Sequence, residues 1–309
     1  MWLNEYEELM FSHVDDDEKT LKAVQIKYDN MPEIFYKYRS VNDNTLNAFK
    51  NDTLYFSAIS MFNDPYECAM TLSYIQIKEL MYNIILEKLK PFLIPGFSMS
   101  HDDFSSQDVF ESKINQGLRI PKENQWYFED MWKLTDDTIR KKSAETGIET
   151  SQIGDEIYRV CSFSTVNDSL LMWAHYSDNH KGFCIGYNFK EVNDNLTELM
   201  LPVIYCDDLL EISKYMFPNS NKSLIMNAIT RKSRAWEYER EWRILILAAN
   251  EEKFQIQRIP VPKSIFLGTR ITEENKSRII EIASEKNMDI YQIHMRIDEF
   301  KLYYERICV

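Results

Sequence analysis

The chain has 309 residues, of which 44% are apolar and 28% are charged, a composition typical of a globular protein and not of a disordered one. Its net charge of −13 produces a field that opposes non-specific binding to DNA or RNA, so we expect no general nucleic-acid partner. No apolar run approaches the roughly 18 residues of a membrane span, and the amino terminus lacks the basic and apolar regions of a signal peptide. We therefore expect a cytoplasmic protein that has no membrane partner.

The five cysteines are scattered along the chain and form no CxxC pair. An odd, scattered set predicts reduced thiols in a cytosol and argues against a disulfide framework or a zinc site. Cys161 and Cys184 lie inside apolar, strand-like runs. We expect their side chains to fill the core.

Residues 1–30 are predicted to form a helical lead-in. Apolar residues recur there at helical spacing, and the run Asp15-Asp16-Asp17 is typical of the cap of a second helix. Alternating residues then predict strands at 34–40 and 53–60, with a short helix between them. The next segment, FNDPYE at 62–67, is predicted to be a turn because Asn-Asp-Pro stops a strand.

Residues 75–155 are predicted to be a helical insertion in a single α+β domain that spans 31–309. An amphipathic pattern predicts a helix at 77–93, and a polar loop follows at 95–108. The stretch 123–146 is again predicted to be helical, with tryptophan and phenylalanine side chains as its apolar anchors.

Strand-like runs return from residue 157 onward. The predicted strands are 157–165, 181–189, 199–206, 239–247, 254–259, 264–268, 289–296 and 299–307. Helices are predicted after a cap at Asp168 or Ser169, over 219–234, and after a cap at Thr272. Because the helices are inserted unevenly and no regular βαβ alternation occurs, we predict an α+β fold with a mostly antiparallel or mixed sheet.

Several common catalytic motifs are absent from the chain, namely GxGxxG, the Walker A loop, HExxH and GxSxG. Their absence disfavours a Rossmann oxidoreductase, a P-loop NTPase and a common serine hydrolase. His175 and His180 are five residues apart, so one helix does not place them on a single face. No third and fourth ligand can be named, and we therefore predict no metal site.

Three short runs combine aromatic, charged and hydrogen-bonding residues more densely than a core requires. They are FNDPYE at 62–67, MWAHYSDNHKGFCIGY at 172–187 and AWEYEREWRI at 235–244. Each run lies at or beside a predicted strand, so one cleft can collect all three. A cleft of polar and aromatic residues in an α+β domain is typical of a small-molecule or transfer site.

The third run contains two glutamates, Glu239 and Glu241, which the strand period places on one face together with Arg243. Two adjacent carboxylates repel one another, and one of them tends to keep its proton. A site tolerates such a pair when the pair acts on a substrate. The alternative is a buried or edge ion pair between a glutamate and Arg243.

Other polar positions also have two interpretations each. Arg39, at the end of the first predicted strand, either binds a phosphate or is a surface charge. Ser162 and Ser164 alternate on one strand face, where they either hydrogen-bond a ribose or pack beneath a helix. The FNDPYE run either positions a ligand or forms a plain turn.

The same runs resemble a bacterial family, domain-of-unknown-function family 2971, which is associated with abortive infection and phage defence. The resemblance rests on YKYRS, LYFS and FNDPYE, then on MWAHY and HKGFCIGY, and then on W-x-Y-E-x-E-W-R and IFLG. These segments together span residues 34–270. The family resemblance by itself implies no particular activity.

The order of these motifs is also similar to that of the ADP-ribosyltransferases, which use NAD as a substrate. This resemblance implies that Arg39 corresponds to the first-strand arginine of that superfamily. It likewise implies that Ser162 and Ser164 correspond to a Ser-x-Ser strand, and that Glu239 and Glu241 form the late Glu-x-Glu motif.

A second catalytic pattern of that superfamily, His-Tyr-Glu, matches less closely. Tyr55 corresponds to its tyrosine, whereas Tyr38 stands where its histidine is expected. The low glycine content is compatible with this fold, because the fold holds NAD without a glycine-rich loop.

Cleavage of the bond between nicotinamide and ribose builds positive charge on the ribose. The resemblance implies that Glu241 stabilises this charge and that Glu239 activates an acceptor. The implied catalytic residues are Glu241, Glu239 and Tyr55. The residues implied to hold NAD are Tyr38, Arg39, Ser57, Asn63, Asp64, Ser164, Trp173, His175 and Tyr176.

The expected function is an ADP-ribosyltransferase-like effector that uses NAD, in anti-phage defence or as a toxin, with a macromolecular acceptor or phage component as its partner. Two other classes stay open. A binding module of the same fold would sense a nucleotide or a protein without chemistry. A metal-dependent nuclease would use Asp64, Glu67, Glu239 and Glu241, although Arg243 stands where the lysine of an ExK motif belongs.

Overall fold

The computed structural model describes residues 2–12, 16–71, 82–83, 85–104, 107–119, 152–190, 196–212 and 224–308. Contacts divide the chain into two compact units. The first unit consists of Met1–Cys68, Ser151–Leu209 and Asn221–Val309, and the second of Ala69–Thr150 and Leu210–Ser220. The predicted helical stretch 123–146 lies outside the described residues.

Several of the helices begin at capping residues that the sequence signals. The helices of the described residues include α1 Trp2–Met10, α2 Asp17–Asn30, α3 Asp43–Lys50, α4 Gln107–Gly117, α5 Leu170–Tyr176, α6 Leu196–Leu199, α7 Leu224–Ile229 and α8 Glu273–Glu285. The side chains of Asp16, Ser169 and Thr272 accept hydrogen bonds from backbone N–H groups of the first turn, which confirms the three predicted caps. Within the described ranges, no helix combines the length and the apolar character needed to cross a membrane.

The strands agree closely with the predicted runs. They are β1 Phe35–Arg39, β2 Thr53–Ser57, β3 Met70–Thr71, β4 Tyr158–Ser164, β5 Phe183–Tyr187, β6 Met200–Pro202, β7 Ile204–Cys206, β8 Leu210–Glu211, β9 Arg231–Ser233, β10 Glu241–Leu247, β11 Phe254–Arg258, β12 Ser264–Leu267, β13 Asp289–Met295 and β14 Leu302–Arg306.

The main sheet lies in the first unit and has the strand order β11-β2-β4-β1-β5-β12-β13-β14. Strand β10 joins it by pairing with both β4 and β6. The pairs are antiparallel except for β12 and β13, which are parallel because α8 connects them. The prediction of an α+β fold with a mostly antiparallel, mixed sheet is confirmed.

Aromatic side chains on one face of the central strands build the core of the first unit. The ring of Phe35 lies 6.5 Å from that of Phe163 and 5.5 Å from that of Trp242, both in edge-to-face geometry. Cys161 and Cys184 are almost completely buried among such residues, which confirms their predicted role as core filler. Because strand side chains alternate, the neighbours of Phe163 and Trp242 point to the opposite face.

Two predicted elements differ from the structure. The predicted helix over 219–234 is wrong beyond Ile229, because the chain forms strand β9 there and then a 3-10 helix, Arg234–Glu239. The predicted strand 199–206 is two strands, interrupted at Val203, whose N–H donates to the carbonyl oxygen of Glu241. In both places pairing with distant strands overrides local propensity, since β9 pairs with β7 and β6 pairs with β10.

The second unit has a small core of its own. Strands β3 and β8 form a parallel pair, and the rings of Tyr82 and Phe110 stack with centroids 4.2 Å apart. Ile85 and Ile114 are buried beside these rings.

Candidate functional site

A cavity of about 790 Å³ lies in the first unit beside β1, β2, β4 and β10. Side chains of these strands, of α5 and of the segment that follows β2 line it. Its volume lies within the roughly 300–1,000 Å³ that is usual for small-molecule sites. The cavity is therefore large enough for a nucleotide-sized ligand.

The cavity lies where two strands share one edge of β4. Strand β10 pairs with β4 from Tyr158 to Ser164 and occupies the other edge completely. On the shared edge, β2 pairs with β4 at Val160 and β1 pairs with it at Ser164. Between these positions the carbonyl oxygen of Ser162 accepts a hydrogen bond of 2.5 Å from Lys37 Nζ. The sheet is thus split between β1 and β2, and the Lys37 side chain crosses the gap.

A network of almost completely buried charged side chains borders this cavity, and its members are Glu67, Lys232, Glu239, Glu241 and Arg243. Arg243 binds Glu241 in bidentate fashion, with its Nε and Nη2 at 2.8 and 3.0 Å from the two carboxylate oxygens. Its Nη1 and Nη2 also donate to the two carboxylate oxygens of Glu67, and Nη1 donates to the carbonyl oxygen of Ile229 as well. Lys232 Nζ bridges Glu239 and Glu241, at 2.5 and 3.1 Å from their carboxylate oxygens.

The two central glutamates differ in their affinity for a proton. Burial by itself would raise the pKa of Glu241, but the guanidinium of Arg243 and the ammonium of Lys232 outweigh it and hold this pKa at about 2. Burial raises the pKa of Glu239, and the nearby negative charge of Glu241 raises it further. The ammonium of Lys232 lowers this pKa, but it does not outweigh the other two effects. Glu241 is therefore a fixed anion near neutral pH, whereas Glu239 is the one better suited to exchange a proton.

Glu239 also has a neutral partner that faces the cavity. Tyr176 Oη donates a hydrogen bond of 2.5 Å to Glu239 Oε1, and Asn63 Nδ2 donates one of 3.3 Å to Tyr176 Oη. All three residues line the cavity. Since the tyrosine hydroxyl is uncharged, a ligand hydroxyl can take its place at Glu239 without leaving a buried cation unpaired.

The three polar and aromatic runs converge on this network, as the sequence predicts for a shared cleft. FNDPYE contributes Glu67 and also Phe62, whose ring lies 5.3 Å from the guanidinium carbon of Arg243. The second run contributes Tyr176, and the third contributes Glu239 and Arg243. Arg243 and Glu67, which are 176 positions apart in the chain, are thus direct partners.

The two glutamates approach each other for a reason that strand periodicity does not supply. Glu239 ends the 3-10 helix, and β10 begins only at Glu241, so the prediction that both lie on one strand face is wrong for Glu239. Arg240 between them has a φ of 44°, in the left-handed region. This sharp turn lets both carboxylates reach Lys232.

The left-handed turn gives a direct test of this geometry. We expect Arg240→Val to lower the free energy of unfolding by about 1–2 kcal/mol, because a β-branched residue is strained at positive φ. Arg240→Gly, at the same exposed position, is expected to change it by less than about 0.5 kcal/mol. Urea denaturation of both variants measures the difference, and equal stabilities would contradict a left-handed residue 240.

Lys232 is a member of the network that the sequence analysis missed. The sequence pattern predicts a helix over 219–234 that includes Lys232, whereas Lys232 lies in β9, and its Nζ is 4.9 Å from the ring centre of Trp236. A signal was present in Ser233, whose Oγ accepts a hydrogen bond from the N–H of Ala235. Such a capping serine indicates that a new helical turn starts there and that the preceding helix has ended.

Most of the residues predicted to hold a nucleotide line the cavity, namely Tyr38, Arg39, Ser57, Asn63, Ser164, His175 and Tyr176. The three residues predicted to be catalytic, Tyr55, Glu239 and Glu241, line it as well. Trp173 does not line it, because this side chain is completely buried and donates from Nε1 to the carbonyl oxygen of Asn167. Asp64 does not line it either, and its carboxylate accepts a hydrogen bond from the N–H of Tyr66.

Arg39 lines the cavity and retains hydrogen-bonding capacity. Its Nη2 is buried and has no hydrogen-bond partner among the described residues. Leaving such a donor unpaired costs about 1–3 kcal/mol. A guanidinium in this state is well suited to a phosphate oxygen, which would supply the missing acceptor.

The two histidines of the second run have separate surroundings. The ring of His175 lies 6.2 Å from that of Tyr238, and the ring of His180 stacks on Trp173 at 6.4 Å. Across the residues that the structure describes, no three His, Cys, Asp or Glu side chains are grouped so that they could hold a metal ion.

Comparison with known proteins adds one family. The sequence profile of the family described as Protein of unknown function (DUF2971) matches residues 172–244. This match contains the second and third runs and therefore most of the buried network, whereas FNDPYE and IFLG lie outside it. No curated protein and no solved structure gives a significant match.

Proposed function

We propose that this protein is an ADP-ribosyltransferase-like enzyme that binds NAD in the cavity of the first unit and cleaves its bond between nicotinamide and ribose. The observation that carries this proposal is the Glu239 carboxylate, which lines the cavity between the neutral Tyr176 hydroxyl and the Lys232 ammonium. A carboxylate held in this way can accept a ribose hydroxyl and stabilise the positive charge that develops on the sugar.

The proposed roles follow from the surroundings of each carboxylate. Both oxygens of Glu241 are held by Arg243 and Lys232, so Glu241 positions Lys232 and keeps the pair charged. Glu239 contacts the ribose after displacing Tyr176. The glycosidic electron pair leaves with nicotinamide, and an acceptor oxygen or nitrogen bonds to the ribose carbon and releases its proton.

Other residues that line the cavity support a ligand with a pyrophosphate. Arg39 provides the unpaired guanidinium N–H, and aromatic rings such as that of Tyr55 provide stacking surfaces. A role in phage defence or as a toxin rests on the family resemblance, and the acceptor would be a macromolecule of the infected or target cell.

The test is NAD binding by calorimetry, together with nicotinamide release, on the purified full chain. We expect saturable binding and release of nicotinamide. Arg39→Met should weaken NAD binding at least tenfold, as expected for loss of a charge-assisted hydrogen bond of about 1.5–3 kcal/mol. The matched control is Arg258→Met, which removes the same charge from an exposed position in β11 and should leave binding unchanged. No binding at millimolar NAD would reject the proposal.

A second candidate is a nucleotide-sensing module that performs no chemistry. It is favoured by one observation, namely that the carboxylates of Glu67, Glu239 and Glu241 all have a cationic partner already. Such a network stiffens a site as readily as it catalyses a reaction. NAD binding without nicotinamide release would decide in favour of the sensor.

A further inference from the structure

A second cavity, of about 490 Å³, lies in the first unit and takes no part in the proposed reaction. Residues of the amino-terminal helices α1 and α2, of α6 and α7, and of β6 and β10 line it. Most of these side chains are aliphatic or methionine, such as Met10, Leu201, Met226 and Leu245. The walls therefore suit an apolar chain.

Tyr6 contributes a polar group to this apolar chamber. Its side chain is completely buried, and its Oη has no hydrogen-bond partner in the part of the chain that the structure describes. Burial raises the pKa of Tyr6, so the hydroxyl stays protonated and is a hydrogen-bond donor without an acceptor. Buried hydroxyls in proteins are normally paired, and an unpaired one at a cavity wall points to a ligand atom.

Lys27 contributes a second polar group to the same wall. It is almost completely buried, and its Nζ donates to the carbonyl oxygens of Thr197 and Glu198, at 3.3 and 2.8 Å. An ammonium has three N–H donors, so one is left over. No carboxylate among the described residues forms an ion pair with Lys27, and the acidic residue of the wall, Glu198, is itself exposed. Burial lowers the pKa of Lys27 to about 8, although the charge of Glu198 acts in the opposite direction.

The cavity opens to solvent through apolar side chains. Val24, Leu199 and Leu247 line the cavity and are also exposed, Leu247 to 70%. Exposed aliphatic side chains that are continuous with an apolar chamber are typical of a ligand entrance.

We propose that this second cavity binds a medium-chain carboxylic acid, with its alkyl chain against the aliphatic walls and its carboxylate on Lys27 Nζ and Tyr6 Oη. The carboxylate supplies an acceptor for Tyr6 Oη and for the third N–H donor of Lys27. The alkyl chain covers the aliphatic groups at the entrance.

Calorimetric titration of the full chain with sodium dodecanoate below its micelle concentration tests this proposal. We expect saturable binding of one dodecanoate per chain. Dodecyltrimethylammonium has the same chain with a cationic head, butyrate has the same head with a short chain, and each should bind at least tenfold more weakly. Equal binding of the cationic amphiphile, or no binding of dodecanoate, would overturn the proposal.

Variants separate the head-group contacts from general adsorption. Tyr6→Phe should weaken dodecanoate binding at least fivefold, and Lys27→Met should abolish the preference for the carboxylate over the cationic head. Tyr28→Phe removes a hydroxyl from the exposed face of the same helix α2 and should change nothing. Unchanged affinity in both Tyr6→Phe and Lys27→Met would contradict the assigned head-group site. Because the readout is dodecanoate binding, the result does not depend on NAD turnover, and a failure of either proposal leaves the other standing.

Discussion

Replacing Arg243 with leucine is expected to lower the free energy of unfolding by about 3–5 kcal/mol, because it leaves buried carboxylates without their cation. Arg243 is 1% exposed and holds Glu67 and Glu241, which are themselves buried. Guanidinium denaturation at pH 7 measures the loss. The matched control is Arg278→Ala, which breaks an exposed pair with Asp43 and should cost less than about 1 kcal/mol.

A second variant distinguishes unpaired charge from lost packing. Adding Glu67→Gln and Glu241→Gln to Arg243→Leu removes both buried carboxylates and should recover part of the lost stability. If this triple variant is no more stable than Arg243→Leu, the cost comes from packing and not from the charges.

The dependence on pH has a defined sign. The pKa of Glu241 is about 2 in the folded protein and 4.5 in the unfolded chain. Between these two pH values the unfolded chain therefore binds more protons than the folded protein does. The stability that ionised Glu241 contributes is present above pH 4.5 and is lost as pH falls toward about 2. In Arg243→Leu the attraction between Arg243 and Glu241 is missing. The difference in the free energy of unfolding between this variant and the unmodified chain should therefore shrink as pH falls from 4.5 toward about 2. A difference in the free energy of unfolding that does not change with pH would contradict this account.

Glu239→Gln is expected to reduce nicotinamide release by about 10²–10³-fold, if Glu239 stabilises the charge on the ribose. We expect this variant to fold, because Lys232 can still pair with Glu241. The matched control is Glu237→Gln, which removes an exposed carboxylate from the same 3-10 helix and should leave the rate unchanged. Equal rates in the two variants would exclude Glu239 as the catalytic carboxylate.

Glu241→Gln separates the two glutamates further. Because Glu241 belongs to the network around Arg243, we expect this variant to lose stability as well as turnover, whereas Glu239→Gln loses mainly turnover. The midpoint of thermal unfolding measures the loss of stability in each variant, and the rate of nicotinamide release per folded molecule measures the loss of turnover. A Glu241→Gln chain that is fully stable and inactive would instead assign the catalytic role to Glu241.

The pH–rate profile gives an independent readout for Glu239. Burial raises its pKa, and the ionised form is the one that stabilises a cation, so kcat/KM, which reports groups of the free enzyme, should rise with pH through a value above the ordinary glutamate range. Tyr176→Phe removes a hydrogen bond that lowers this pKa, so the rising limb should move to higher pH. A limb that does not move would indicate that another group titrates.

Much of the fold could be predicted from local signals. The caps at Asp16, Ser169 and Thr272 and the alternating runs depend on residues within a few positions of each other, which is the range over which these signals act. The shared face of Glu241 and Arg243 was predictable in the same way, since the period of a strand is two.

Other parts of the site were decided by the tertiary structure. Lys232 reaches the glutamates only because β9 pairs with β7, and Glu239 does so only because Arg240 adopts a left-handed turn. The partner of Arg243 in FNDPYE is 176 residues away.

The sequence by itself determined the fold class, most strands and the three runs that carry the site, because hydrophobic period and capping chemistry act locally. The tertiary structure alone decided which charges are paired, which carboxylate has a neutral partner and where Arg39, Tyr6 and Lys27 keep unused donors. The physical reason is that burial and ion pairing depend on residues that meet only after distant strands have paired, so neither can be read from neighbours along the chain.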